Sequence, residues 1–393
     1  MSRRSSTLLL ILAYVAFVSL GLPDTVFGVA WPSLRREFEL SQSSMGAVLA
    51  TGVCGYFLSG LLAGAMIRKV GVGGLLALSS AAVALALAGY ALAPSWTAFF
   101  PVGFVMGLGS GAIDSGLNGY AARHFSVRHV NWLHACWGVG ASTGPLIMTA
   151  AIASGQGYRG GYWALSVVLG AMAVAFLFTA GAWQTQPSGA TNPNGEPRPE
   201  AGFATAIGSP RVWLHLFTFF VYTGLESSVG QWCFSLMREG RGLGVEAAGA
   251  WTSAYWTSLT LGRILLGFVV DRFGADRLLR GATFGVAVGA VAFAASPGAL
   301  GRCGLLLLGL SLAPMYPTLM ARTPARVGDP IAHHAVGFQV SAATLGSSFL
   351  PSLLGFLVAK VGYGAIGALA VGLSLALFAA HEALLRLKRL VPA

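Results

Sequence analysis

Twelve apolar stretches, each long enough to cross a bilayer, run through this chain, and no other feature limits its fold so tightly. A membrane-crossing helix needs about 20 residues at about 1.5 Å each. The stretches fall near 7–31, 43–67, 73–93, 97–120, 130–153, 161–183, 211–236, 247–270, 278–297, 302–321, 333–359 and 363–385. Inside hydrocarbon every backbone N–H and C=O must be bonded within the protein, so segments of this kind are read as helices. Only 9% of the residues are charged, against about 25% in a soluble domain. The expected class is therefore an all-α integral membrane protein. The first stretch runs from Leu8 to about Trp31, too long for the core of a cleaved signal peptide.

A Pro-, Gly- and Asn-rich polar interruption, QTQPSGATNPNGEPRPEAGFAT, occupies 184–205. Such composition makes a flexible linker. It separates residues 1–183 from 206–393, six stretches on each side. The halves repeat. GAMIRKVGVGGLL (64–76) matches GFVVDRFGADRLL (267–279) at an offset of 203. At an offset of 202, Asp24 falls on Glu226, Gly28 on Gly230 and Ser33 on Ser235. The expectation is two pseudo-symmetric six-helix bundles with a site near the membrane midplane. With both termini inside, Lys and Arg divide 16 to 7 in favour of the cytoplasmic side, leaving Arg263 within the eighth stretch. That asymmetry places both termini in the cytoplasm and the protein in the cell membrane. The net charge of +11 then belongs to loops facing anionic lipid, and no basic stripe with interleaved aromatics suggests nucleic acid.

Three carboxylates break the apolar pattern: Asp24 in the first stretch, Asp114 in the fourth and Glu226 in the seventh. A charge at the bilayer centre costs about 2.5–3.5 kcal/mol on insertion scales, so such groups are neutral, paired or in use. Pro23 precedes Asp24 and removes a backbone donor, which favours a helix break beside a cavity. Asp114 and Asn118 are four apart and share a helix face. Arg263 is placed to pair with Glu226. His134 can titrate near neutrality. Trp137, Gln231, Trp256, Tyr316 and Gln339 suit a sugar site in type, aromatic faces for ring carbons and amides for hydroxyls. Glycines at 140 and 144 ahead of Pro145 permit close helix packing.

Twelve helices in two halves, with GFVVDRFGADR after the eighth, resemble the major facilitator superfamily. Gly267, Asp271, Arg272, Gly274 and Arg277 fit its loop signature, while the first copy carries Arg68 where the Asp stands. The resemblance implies a cytoplasmic gate built around Gly267, Asp271, Arg272, Arg277 and Arg263. The run GLGSGAIDSGLNGYAARHFSVRHVNWLHACWGVGASTGP (107–145) is similar to the fucose:proton symporter family. That family carries an Asp on its first helix and a carboxylate four residues before an Asn on its fourth, as Asp24, Asp114 and Asn118 do here. It usually has Glu on the fourth helix, and often Asn followed three residues later by Gln on the fifth, where this chain has Asn131 and His134.

The reading is a secondary active transporter that carries a small polyhydroxylated solute, a hexose or a relative, with protons. Asp24, Asp114 and Glu226 are the coupling candidates. Asn118, His134, Trp137, Gln231, Trp256, Tyr316 and Gln339 are the substrate candidates. Sodium is the alternative coupling ion. An exporter of amphipathic compounds and a non-transporting membrane sensor are the alternative functions. No HExxH or Walker loop occurs, so no enzyme is expected, and no cofactor or metal. The expected partners are the solute, the ion and membrane lipid, with the chain a monomer.

Overall fold

The computed structural model describes residues 3–125, 127–183 and 203–389; the side chains of a few residues within these spans, including 266–271, lie outside the description. The polar stretch from 184 to 202 also lies outside it. Among the described residues the secondary structure is helical.

The first crossing is α1 (Arg3–Asp24) followed by α2 (Phe27–Glu37). They are parted at Thr25 and Val26, two residues after Pro23, near where the sequence calls for a break. α3 (Met45–Leu92) holds the second and third crossings. α4 (Phe99–His124), α5 (Val127–Ala153) and α6 (Gly157–Thr179) complete six. After the short α7 (Phe203–Ile207) come α8 (Pro210–Ser235), α9 (Val245–Phe273) and α10 (Ala275–Ala295). The tenth crossing is split into α11 (Ala299–Leu312) and α12 (Met315–Val327), and α13 (Asp329–Val361) and α14 (Gly364–Arg389) close the set. Twelve crossings result, as the apolar spacing predicts.

The internal repeat survives as backbone geometry. α3 turns on a single non-helical residue, Gly71, at φ 72° and ψ 173°. At the offset of 203, Gly274 has φ 79° and ψ 144° and joins α9 to α10. A side chain at positive φ costs about 1–2 kcal/mol, so glycine is the residue that permits this reversal in both copies.

By contacts the chain forms two compact units that do not follow the sequence halves. The first holds residues 1–185 with segments 230–257 and 355–362. The second holds 186–229, 258–354 and 363–393.

In the first unit α3 packs on α4 and α6, and α1 packs on α5. The α1–α5 crossing is backbone on backbone. A Cβ at Gly140 would meet the Val18 carbonyl, one at Gly144 the Leu22 carbonyl, and one at Gly21 the Trp137 carbonyl. Thr25 Oγ1 adds a 2.8 Å bond to the Ala141 carbonyl. The segments from the second sequence half are held at one end of this unit. Arg35 Nη2 reaches both Glu239 oxygens at 3.1 Å. Ser253 Oγ donates to the Ser142 carbonyl at 2.7 Å, and Gly28 lies against the Gln231 backbone.

At the same end Arg159 closes the helix terminus of α3. Its Nη1 donates to the Ala91 carbonyl at 2.6 Å, and its Nη2 to the Ala93 carbonyl at 3.2 Å and to Glu37 Oε1 at 2.5 Å. The last carbonyls of a helix have no helical donor, and a guanidinium fork satisfies two of them at once. Arg159→Gln should cost about 1 kcal/mol, discounted because the side chain is partly exposed. A fall of about 1–2 °C in the melting midpoint in detergent is expected. Arg159→Lys should show most of that fall, since an ammonium cannot span the three acceptors. An unchanged midpoint in both variants would show that the clamp adds nothing.

In the second unit α10 packs on α11, α12 and α14.

Candidate functional site

Asp24 stands at the last position of α1, where the helix break leaves its own carbonyl without a helical donor. Every residue from Ser19 to Pro32 is buried except Asp24, which is exposed. A lone exposed carboxyl inside a buried membrane segment opens onto space that water or a solute can occupy. The Trp137 indole donates to Asp24 Oδ2 at 2.9 Å. Gln231 Nε2 donates to the Asp24 main-chain carbonyl at 3.0 Å and supplies the missing bond. The Trp137 and Trp256 rings meet edge to face at 6.0 Å. Thus α5 bonds the carboxyl of Asp24 and α8 its main-chain carbonyl, while α9 packs on the bonding indole.

Asp114 lies within electrostatic reach of Asp24. It is half-buried and fully bonded. The Tyr56 hydroxyl donates to Oδ2 at 2.7 Å, and Asn118 Nδ2 to Oδ1 at 2.8 Å. Asn118, one helical turn on, therefore orients the carboxylate rather than facing outward alone. His134 is exposed and packs edge to face on Phe17 with ring centroids 5.5 Å apart.

The remaining candidates belong to the second unit. Glu226 is 8% exposed. It accepts a 2.5 Å bond from the Tyr222 hydroxyl, and Arg263 Nη2 stands 3.5 Å from its Oε1. A buried carboxylate paired with a guanidinium is costly to break, because either partner left alone is an uncompensated charge. Tyr316 packs with Phe219 and Tyr222 at centroid separations of 5.4 and 6.3 Å. Gln339 is fully buried and accepts from Thr323 Oγ1 at 3.0 Å. Arg272 and Arg277 are exposed. The side chain of Asp271 lies outside the described residues, as does the environment of Gly267.

Two groups escape the sequence reading. Tyr56 and Tyr222 each give a hydroxyl to a carboxylate, half-buried Asp114 and buried Glu226. Their one visible signal is a phenol inside an apolar stretch, and interfacial tyrosines give the same signal. The arrangement around Asp24 and Asp114 can do two things chemically. It presents carboxylate acceptors beside aromatic faces, which suits hydroxyls on a ring. It also holds two carboxyl groups, either of which can carry a proton. Among the described residues no cluster of His, Cys, Asp and Glu suits a metal ion.

The chain is 22% identical over 352 residues to the glucose/mannose transporter GlcP of Bacillus subtilis (strain 168), covering 87% of this chain and 86% of that protein. It is 24% identical over 288 residues to "Bypass of stop codon protein 6" of Saccharomyces cerevisiae (strain ATCC 204508 / S288c), covering 66% of this chain but only 56% of the yeast protein. The crystal structure of the E. coli fucose:proton symporter FucP superposes with a TM-score of 0.65 at 15% identity, covering 98% of this chain and 99% of that one. At that identity the likeness carries the fold. The sequence pattern of the Major Facilitator Superfamily matches residues 13–348. With twelve membrane helices, a repeated glycine reversal and this match over most of its length, the chain belongs to the Major Facilitator Superfamily, a family of transporters and not of enzymes.

Proposed function

We propose that this transporter takes up a small polyhydroxylated solute, of the hexose class, together with protons. One observation carries the reading: the exposed carboxyl of Asp24, inside an otherwise buried helix, bonded to an indole and flanked by an amide. A carboxylate accepts from sugar hydroxyls, and an indole face covers the apolar face of a sugar ring. The names of GlcP and of the fucose:proton symporter supply the substrate class and the coupling ion. Asp24 and Asp114 are the coupling pair in this reading, and Glu226, held by Arg263 and Tyr222, is structural.

Coupling follows from linkage. A proton on the Asp24–Asp114 pair removes a charge from the membrane interior, and the neutral pair tolerates the closing of the site over substrate. In this reading the linker and both termini are cytoplasmic, which the basic-residue asymmetry supports, and the membrane is the cell membrane.

The test is substrate-driven proton entry into vesicles that hold the purified protein and an internal pH dye. Hexoses, pentoses, polyols and nucleosides form the panel. Acidification with one of them, absent in empty vesicles, supports the proposal. No acidification with any of them, but proton exit with amphipathic cations, would replace it with the exporter reading. Trp137→Phe keeps the aromatic face and removes the donor to Asp24 Oδ2. A rise of about tenfold in KM, or an altered pH profile of uptake, is expected from loss of one hydrogen bond to a charged group. Kinetics and a pH profile equal to the parent's would take Trp137 out of the site.

A further inference from the structure

At the start of α10 the second unit carries more positive charge than the described carboxylates around it can neutralise. Gly274 turns the chain out of α9, and α10 begins at Ala275. The first backbone N–H groups of a helix have no helical acceptor and favour an anion beyond the helix end. Here a cavity of about 340 Å³ lies at that point, lined by Phe273, Gly274, Ala275, Asp276, Arg277 and Arg322.

The carboxylate in the cavity wall is already spent. Asp276 Oδ2 accepts from Arg322 Nη2 at 3.2 Å, and Oδ1 accepts from Arg326 Nη2 at 3.0 Å. Glu382 is likewise taken, by Arg280, whose Nε and Nη2 reach its two oxygens at 2.6 and 2.7 Å. Arg326 is 6% exposed, yet its Nε and Nη1 find no acceptor, and the buried Nε of Arg322 finds none either. Buried polar groups are normally bonded, so the orphaned Nε of Arg322 in the cavity wall and the two orphaned donors of Arg326, which shares Asp276 with it, call for an acceptor from outside the chain. Arg277 is exposed beside them. Arg277, Arg322 and Arg326 against Asp276 leave two uncompensated positive charges among the described side chains.

We propose that this cavity binds a phosphate group. A phosphate offers several acceptor oxygens at once to a helix N-terminus and to guanidinium forks, which a single-charged halide does not. Two sources share that chemistry, the headgroup of an anionic phospholipid and free phosphate. Phe273 lines the cavity and is 54% exposed, which gives a lipid headgroup an apolar neighbour for its chains. The site is independent of the transport substrate.

Native mass spectrometry of the detergent-solubilised full chain, titrated with phosphatidylglycerol or with phosphatidylcholine, tests it. Arg277→Gln/Arg322→Gln removes two charges and leaves Asp276 paired with Arg326. Arg68→Gln/Lys69→Gln removes two charges elsewhere, from exposed positions in the first half. Phosphatidylglycerol should bind the parent and the Arg68/Lys69 variant alike, and the Arg277/Arg322 variant at least about tenfold more weakly. Arg277→Gln alone, at an exposed position, reports the same direction if the double variant misfolds. Inorganic phosphate forms the second arm. A rise in melting midpoint with phosphate, lost in the Arg277/Arg322 variant, with no preference for phosphatidylglycerol, assigns the site to free phosphate. Equal binding of both probes to the parent and the Arg277/Arg322 variant, or binding of neither to the parent, overturns the proposal.

Discussion

Asp24→Asn should reduce proton-driven accumulation of the substrate to equilibrium, the largest functional effect expected of any single substitution here. A membrane potential of 100 mV is worth about 2.3 kcal/mol per charge, and one pH unit about 1.4 kcal/mol. One proton per solute therefore supports accumulation of about 500-fold. Asn keeps the shape of the side chain and a possible bond to a hydroxyl, but it cannot carry the proton. The accumulation ratio should fall to about 1, while exchange of labelled for unlabelled substrate across the membrane persists. Asp114→Asn should behave in the same direction, because Tyr56 and Asn118 hold that carboxyl within electrostatic reach of the first. Concentrative uptake by Asp24→Asn at the parent's ratio would remove this residue from coupling. Loss of exchange as well would make it a binding group first.

Gly140→Val should produce the largest loss of stability. The new Cβ would land on the Val18 carbonyl, and its neighbours there are backbone atoms that cannot swing aside. Overpacking of a fitted interface costs about 1–3 kcal/mol, and this contact belongs at the upper end. α1 would be forced off α5, and with it the Trp137 bond to Asp24. The expected result is a melting midpoint lowered by several degrees and a smaller monodisperse peak in gel filtration. Gly170→Val is the control, because nothing lies within 4 Å of a Cβ there. If both variants melt with the parent, the close α1–α5 crossing is not a source of stability.

Much of the fold is legible in the sequence, because hydrocarbon leaves a chain few options. The number of crossings follows from the length of the apolar stretches, and the break after Asp24 from Pro23. The repeat also survives translation into geometry, with Gly71 and Gly274 in the same rare conformation. The join inside α3 is less visible. Sequence shows a polar interruption around Arg68 and Lys69, but not that a single residue suffices to reverse the chain.

The site is legible in part, and the reason is energetic. Asp24, Asp114 and Glu226 stand out because a buried charge is costly wherever it lies. Sequence names Arg263 as a partner for Glu226 but shows no partner for Asp24, since pairing depends on the neighbour the fold delivers. Glu226 receives Arg263 and Tyr222, whereas Asp24 receives an indole and stays exposed. Gln339 shows the same limit. An amide suits a sugar in type, but the fold spends its oxygen on Thr323. Tyr56 was hidden for the opposite reason, since a phenol costs little in an apolar segment until one knows what its hydroxyl meets. Orphaned donors such as those of Arg326 are likewise invisible before the packing is known.

The reversal at Gly71 has a consequence for how the chain is made and handled. With one non-helical residue between them, the two legs of α3 have no slack to move apart during synthesis. They should enter the bilayer together as a hairpin rather than one after the other. The same joint leaves no room for an epitope, a protease site or a fluorescent insert without separating the legs. The turn from Gly155 to Gly157, where both glycines have positive φ and neither would bring a Cβ near another atom, is the more forgiving place to engineer.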